Sequence, residues 1–268
     1  MFVIMREHQN SNDPRFVDYY AEQSMSEETA QRSTGIMNTV LRIRSENGDS
    51  VDDLLVADIG CNAGTQSRQW LNAGHRVSGI DISADLIELA RTRNSDFAHK
   101  SAFEVGSATE LPWESGRFDV CLMPELLEHV EDWHRCLSEG IRILKPGGSI
   151  FLSTTNVLCP FQNEFTLPLY SWYPAWLKRH YVRKALSDAP HLANFASYPA
   201  VHWFSPYSLK RALNAMNVDA RDRFDMIDTT GRPALARAAV AMARALPPIR
   251  LLGHCMSVST MLLGRKRR

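Results

Sequence analysis

The 268-residue chain has few cysteines, no long apolar run and no excess of either charge. Its five cysteines, Cys61, Cys121, Cys136, Cys159 and Cys255, include no C-x-x-C pair and no disulfide-like clustering, so a reducing, cytoplasmic setting is expected. No stretch reaches the roughly 18 apolar residues of a spanning helix. The nearest approach, residues 234–246, is interrupted by Arg237 and Arg244. Arg6, Glu7 and Asp13 occupy the region where a secretory signal would need an apolar core, so no signal peptide is expected. Lysine plus arginine equals aspartate plus glutamate at 30 each, so nothing global attracts a polyanion. Nucleic acid is therefore not an expected partner.

What is present is ordinary globular composition, 44% hydrophobic and 22% charged, in a chain long enough for a large α/β core. Residues 1–50 are polar, with Tyr19 and Tyr20 in an expected helix and a turn at Asn47-Gly48-Asp49. An alternation follows. Strands are expected at Leu54–Ile59, Arg76–Ile80, Phe103–Val105, Phe118–Met123 and Ser149–Thr154. Helices are expected at Thr65–Ala73, Ala84–Arg93 (capped by Ser83) and Trp133–Leu144, which Lys145-Pro146-Gly147-Gly148 stops. Such alternation implies a mostly parallel sheet with helices on both faces.

The pattern breaks at Asn156. Residues 157–204 hold eleven of the 24 aromatics and five of the 13 prolines, which marks an insertion or cap. Trp172, Tyr173, Trp176, Tyr181 and Trp203 are expected to form apolar walls over a cleft, the alternative being ordinary surface packing. Beyond it, a helix is expected from Ser205-Pro206 to Met216 and a strand at Val218–Ile227. An amphipathic helix at Pro233–Leu246, a strand at Met256–Leu263 and the basic tail Arg265-Lys266-Arg267-Arg268 complete the reading.

The strongest local signal is Val56–Thr65, an apolar strand running into Gly60-Cys61-Asn62-Ala63-Gly64. Gly60 and Gly64 lack the Cβ atoms that would block a ligand, and Asn62 tolerates positive φ. The following helix would turn its first N–H groups toward that ligand. Asp81 ends the next strand, where a carboxylate can accept the two ribose hydroxyls of an adenosine. A nicotinamide fingerprint needs G-x-G-x-x-G, and three residues separate Gly60 from Gly64, so that fit is poor.

With these segments in order, followed by Ala108–Val130 and the Leu-Lys-Pro-Gly-Gly turn of Leu144–Asn156, the chain resembles the class I S-adenosylmethionine-dependent methyltransferases. The resemblance spans roughly residues 52–156 and implies a Rossmann-like, seven-stranded, mostly parallel sheet. It divides the chain into an N-terminal helical segment (1–50), a cofactor-binding core (51–156), an aromatic cap (157–204) and a completion of the sheet (205–268). It implies S-adenosyl-L-methionine as cofactor. Asp58 and Gly60 would line the methionine end, with Asn62 and Gly64 completing the loop and Asp81 holding the ribose. Ile82, Ser107 and Ala108 would lie at the adenine, and Met123 belongs to the same set. Many relatives carry aspartate where this chain has Ser107.

Pro124–Val130 resembles the ubiquinone-biosynthesis O-methyltransferase branch, whose Glu-x-x-Glu-His is a divalent-metal site. That implies Glu125, Glu128 and His129 as ligands for Mg2+, on a helix where i, i+3 and i+4 share a face. Glutamates that merely cap a helix are the alternative. Glu128, His129 and His202 are the candidate catalytic groups, since a near-neutral histidine can take a proton as the methyl transfers. A buried structural role for His202 stays open. The expected acceptor is an apolar or aromatic small molecule, quinone-like or lipid-linked, methylated on a hydroxyl. Methylation at nitrogen or carbon, or cofactor binding without turnover, are the alternatives. Aromatics mixed with Lys178, Arg179, Arg183 and Lys184, and the C-terminal arginines, suit peripheral membrane contact or two solvated basic faces.

Overall fold

The computed structural model describes residues 26–268 except 195 and 197. The helix expected around Tyr19 and Tyr20 lies outside the described residues. Helix α1 (Glu27–Glu46) starts at Ser26, whose Oγ accepts the Thr29 N–H at 3.1 Å. Its apolar stripe Ile36, Val40 and Ile43 is buried against the sheet.

Five parallel strands follow: β1 (Leu55–Ile59), β2 (Arg76–Asp81), β3 (Ser101–Val105), β4 (Phe118–Pro124) and β5 (Leu144–Thr155). With β6 (Val218–Asp222) and β7 (Ser259–Lys266) they form one seven-stranded sheet in the order β3-β2-β1-β4-β5-β7-β6. Only β7 runs antiparallel to its neighbours. Helices α2 (Thr65–Asn72), α3 (Ala84–Arg93), α4 (Trp133–Ile143) and α6 (Pro206–Ala215) connect the strands. The sheet is covered on both faces. Trp70, Leu71 and the α1 stripe bury one cluster with Val56 and Leu122, while Leu137, Ile141, Leu209 and Leu213 bury another with Ala57, Phe118 and Met123. The strand order reverses between β1 and β4, and ligands of open α/β sheets bind beyond the carboxyl ends of the strands at such a point.

Three expectations need correction. The strand expected at Val218–Ile227 ends at Asp222, because that carboxylate accepts the Phe224 N–H at 2.9 Å and starts a short helix, α7 (Arg223–Met226). Helices α8 (Ala234–Ala245) and α9 (Pro247–Cys255) follow, so the final strand begins at Ser259 rather than Met256. It also runs into the basic tail, ending at Lys266. Arg265 pairs with Asp49 at 2.7 Å, Arg267 pairs with Asp219 at 2.6 Å, and Lys266 donates to the Ile141 and Leu144 carbonyls. Finally, Lys145-Pro146-Gly147-Gly148 lies inside β5 as an irregularity in its pairing with β4, instead of preceding the strand.

The 157–204 segment builds a small core of its own. Phe165 stacks on Tyr170 at 4.0 Å, and Tyr173, Tyr181 and Trp203 pack around them beside α5 (Ala175–Ala185). Trp172 and Trp176, expected as cleft walls, are 58% and 64% exposed instead.

Candidate functional site

The β1–α2 loop is held open by backbone conformations that side chains rarely adopt. Gly60, Asn62 and Gly64 have φ of 72°, 48° and 77°. A Cβ on Gly64 would sit 2.6 Å from the Asn94 Nδ2, and one on Gly60 would sit 2.9 Å from the Leu126 Cδ1. Glycine is thus required twice, by conformation and by space. Gly60 and Cys61 donate their N–H groups to the Ile80 carbonyl, which ties the loop to the end of β2.

Two carboxylates flank this loop. Asp81 ends β2, and its oxygens accept the Asn62 N–H at 3.0 Å and the Ser83 N–H at 2.9 Å. Burial raises its pKa while those N–H groups act to lower it. Asp58, next to the end of β1, is completely buried. Ser67 Oγ donates to its Oδ2 at 2.6 Å, and its Oδ1 has no partner among the described residues. Burial pushes its pKa up to about 6, with the nearby Asp81 charge adding to the rise and Ser67 opposing it. A buried carboxylate oxygen normally has a partner, and this one sits in β1 two residues before Gly60. Beside Asp81, Ile82 is 58% exposed, an apolar side chain facing solvent. Asp58, Gly60, Asn62, Gly64 and Asp81 are therefore brought together.

Ser107 and Ala108 follow Gly106, whose N–H donates to the Asp81 carbonyl at 2.9 Å, so they continue from the end of β3 beside Asp81; Met123 does not join them. Ser107 is exposed; its Oγ contacts Thr109 Oγ1 at 2.8 Å, and the partly buried Ala108 packs against the core. Met123 is fully buried. Its methyl fills the space that a Cβ on Gly140 would take, so its side chain supports α4 rather than a ligand.

After β4, residues 125–130 form turns and not the expected helix, because Glu125 adopts a left-handed φ of 50°. The helical i, i+3, i+4 grouping of Glu125, Glu128 and His129 is consequently absent. Among the described residues the cluster with metal-ligand spacing is Glu125, Glu128 and Glu164, whose carboxylate oxygens lie within 4.8 Å of one another. Glu128 is completely buried, accepts the Thr154 hydroxyl at 2.7 Å through Oε2, and has no partner for Oε1 among the described residues. Burial first, then the Glu125 and Glu164 charges, hold its pKa well above the carboxylate range. Burial also pushes Glu164 up to about 7. Three hard oxygen donors with one orphaned atom fit a divalent cation such as Mg2+. Sequence reasoning missed Glu164. The available signal was that it is the only carboxylate between Asn156 and Asp188.

His129 points elsewhere. Its Nδ1 lies 2.6 Å from the Tyr198 carbonyl, and burial lowers its pKa. His202 Nε2 lies 2.9 Å from the Glu131 carbonyl. The Glu128 carbonyl accepts the N–H groups of both Val201 and His202. The 125–131 turns and the end of the insertion are thus stitched together, with Leu126 over Gly60 joining them to the glycine loop.

Part of the chain is similar to known methyltransferases. Residues 57–152 match a family model described as a methyltransferase domain. The ubiquinone biosynthesis O-methyltransferase of Xanthomonas oryzae is 36% identical over 102 residues, 38% of this chain and 43% of that protein. The mitochondrial ubiquinone biosynthesis O-methyltransferase of Candida albicans is 35% identical over 130 residues, 46% of this chain and 39% of that protein. The match thus spans less than half the length of these curated relatives. Magnesium protoporphyrin IX methyltransferase from Synechocystis, solved with bound SAH, superposes with a TM-score of 0.55 at 14% identity, covering 96% of this chain and 95% of that one.

Proposed function

We propose, from the methyltransferase domain that residues 57–152 form, that this protein transfers a methyl group from S-adenosylmethionine to a hydroxyl of a hydrophobic small molecule. The observation that carries the reading is the placement of Asp58 near the end of β1 and Asp81 at the end of β2, on either side of a loop whose backbone is left-handed at Gly60, Asn62 and Gly64. Asp81 is pre-oriented by two backbone N–H groups to accept ribose hydroxyls, with Ile82 exposed beside it for an adenine. Asp58 offers its orphaned oxygen to the methionine end. Bound there, the sulfonium of the cofactor supplies an already electrophilic methyl group.

The chain's own tasks are then to orient the acceptor, exclude water and take its proton. His129 donates from Nδ1 to Tyr198, which leaves Nε2 an acceptor, and its lowered pKa keeps that nitrogen unprotonated at neutral pH. His202 is held through Nε2, which donates to the Glu131 carbonyl. Glu125, Glu128 and Glu164 would hold Mg2+, which favours the ionised form of a bound hydroxyl. Oxygen rather than nitrogen as the methylated atom rests on similarity to the ubiquinone biosynthesis O-methyltransferases, and so does a lipid-like acceptor.

Titration calorimetry with S-adenosylmethionine and S-adenosylhomocysteine tests the cofactor site. Transfer of a labelled methyl group to catechols, quinols, phenols and amines, with and without Mg2+, tests the chemistry. Binding without transfer to any acceptor would favour a non-catalytic cofactor-binding protein.

A further inference from the structure

The insertion between β6 and β7 leaves an apolar surface uncovered. Of the twelve residues of α8, only Ala243 is buried. Ala236, Val240 and Ala243 recur at helical spacing on the side facing the body, and the first two are half-buried. Leu235, Met242 and Leu246, at i, i+7 and i+11, form a second stripe that is 84%, 47% and 47% exposed. In and just after α9, Leu252 and Met256 are 61% and 77% exposed. A soluble surface rarely carries such a run without a partner.

Charge indicates what covers it. No aspartate or glutamate follows Asp228 in the sequence. Arg250 is neutralised by Asp222 and Asp225. Arg237 and Arg244, by contrast, have no carboxylate in ion-pair range among the described residues. Arg244 instead donates to the Phe224 and Ile227 carbonyls, so its charge is fixed in place but not cancelled. A second copy on this face would set two such positive sets against each other. An anionic bilayer supplies both an apolar interior for the leucines and a negative surface for the arginines. No described helix is long and apolar enough to cross a membrane, so the contact would be peripheral.

We propose that the α8–α9 face docks this protein onto anionic phospholipid bilayers. The inference is independent of the methyl-transfer reading.

Flotation of the full chain with phosphatidylcholine vesicles, with and without phosphatidylglycerol, tests it. Binding is expected to the anionic vesicles and to weaken with salt. Arg237→Gln should weaken it about fivefold. Leu235→Glu combined with Leu252→Glu should reduce it about tenfold or more. These positions are exposed, and unchanged melting temperatures would show that the variants fold. Trp176→Glu, in the other exposed apolar region, should leave binding intact. Absence of flotation would overturn the proposal. So would binding lost only in Trp176→Glu, or a dimer in sedimentation that Leu235→Glu dissociates.

Discussion

Nδ1 of His129 lies 2.6 Å from the carbonyl oxygen of Tyr198, and that contact fixes which nitrogen of the ring is free. A carbonyl only accepts, so Nδ1 carries the hydrogen and Nε2 keeps its lone pair. His202 is held in the opposite sense, with Nε2 donating to Glu131 at 2.9 Å. The two rings cross-link the turns after β4 to the end of the insertion, one from each side. Each histidine is therefore anchored through one nitrogen.

A base role and a purely structural role for these rings predict different kinetics. If His129 takes the acceptor's proton, His129→Ala should lower kcat by about 100-fold or more while leaving cofactor affinity within about twofold. His202→Ala, measured alongside, identifies which ring faces the acceptor. Comparable losses in cofactor affinity and melting temperature, with kcat preserved, would assign the ring to the cross-link alone. Labelled-methyl transfer and titration calorimetry separate the outcomes.

Asp58 should make stability and cofactor binding respond to pH in opposite ways. Its pKa is raised from 3.8 to about 6 by burial. A raised folded-state pKa contributes stability that is present below the unfolded pKa and lost as pH rises through the folded one. The loss, on the order of 3 kcal/mol, should therefore appear between about pH 4 and pH 6. Asp58→Asn removes this ionisation. Without cofactor, the variant should gain stability over the natural chain as pH rises through that window, measured by urea unfolding at matched pH. It should nevertheless bind S-adenosylmethionine at least about tenfold more weakly, because a neutral amide replaces the carboxylate.

Gly64 and Gly116 have nearly the same φ, 77° and 72°, but different surroundings. Nothing lies within 4 Å of a Cβ on Gly116, whereas one on Gly64 meets Asn94 Nδ2 at 2.6 Å. Gly116→Ala therefore reports the backbone penalty alone, about 1 kcal/mol. Gly64→Ala should cost about 2–3 kcal/mol and weaken cofactor binding as well. Thermal unfolding with and without S-adenosylhomocysteine distinguishes the two.

The fold was legible where local signals agreed with one another. Ala84–Arg93 has Ser83 accepting the Leu86 N–H and Leu86, Ile87 and Ala90 on its buried face, and its bounds are those expected. Val56–Thr65 combined strand, glycine spacing and following helix in one segment. What escaped depended on particular side chains or on distant partners. The strand after Val218 stops because Asp222 bonds its own neighbours, a choice that periodicity does not record. The Glu125–His129 spacing suits a helix, but the left-handed backbone at Glu125 rotates His129 away from the two glutamates. Glu164, 36 residues after Glu128, joins them only through tertiary folding. The packing of the Met123 side chain against Gly140 is not legible either, because a strand end shows which residue is present but not which face it takes.

Glu164 offers the clearest discrimination between a cation site and an incidental acidic cluster. Three carboxylates within 4.8 Å, one of them with an orphaned buried oxygen, repel one another unless protons or a cation intervene. Burial and the Glu125 charge already push Glu164 up to about 7. A divalent cation that binds the folded chain must raise its melting temperature by mass action. Mg2+ should therefore stabilise the natural chain, and a chelator should reverse the effect. Glu164→Gln removes one ligand charge while keeping its size. It should abolish most of the Mg2+-induced shift and leave S-adenosylhomocysteine affinity unchanged, since Glu164 lies outside the Asp58–Asp81 loop. His129→Ala should retain the shift, because His129 is directed at Tyr198. A shift retained in Glu164→Gln but lost in His129→Ala would restore the Glu-x-x-Glu-His grouping. No shift in the natural chain would remove the cation from the mechanism and leave the glutamates as proton-sharing groups.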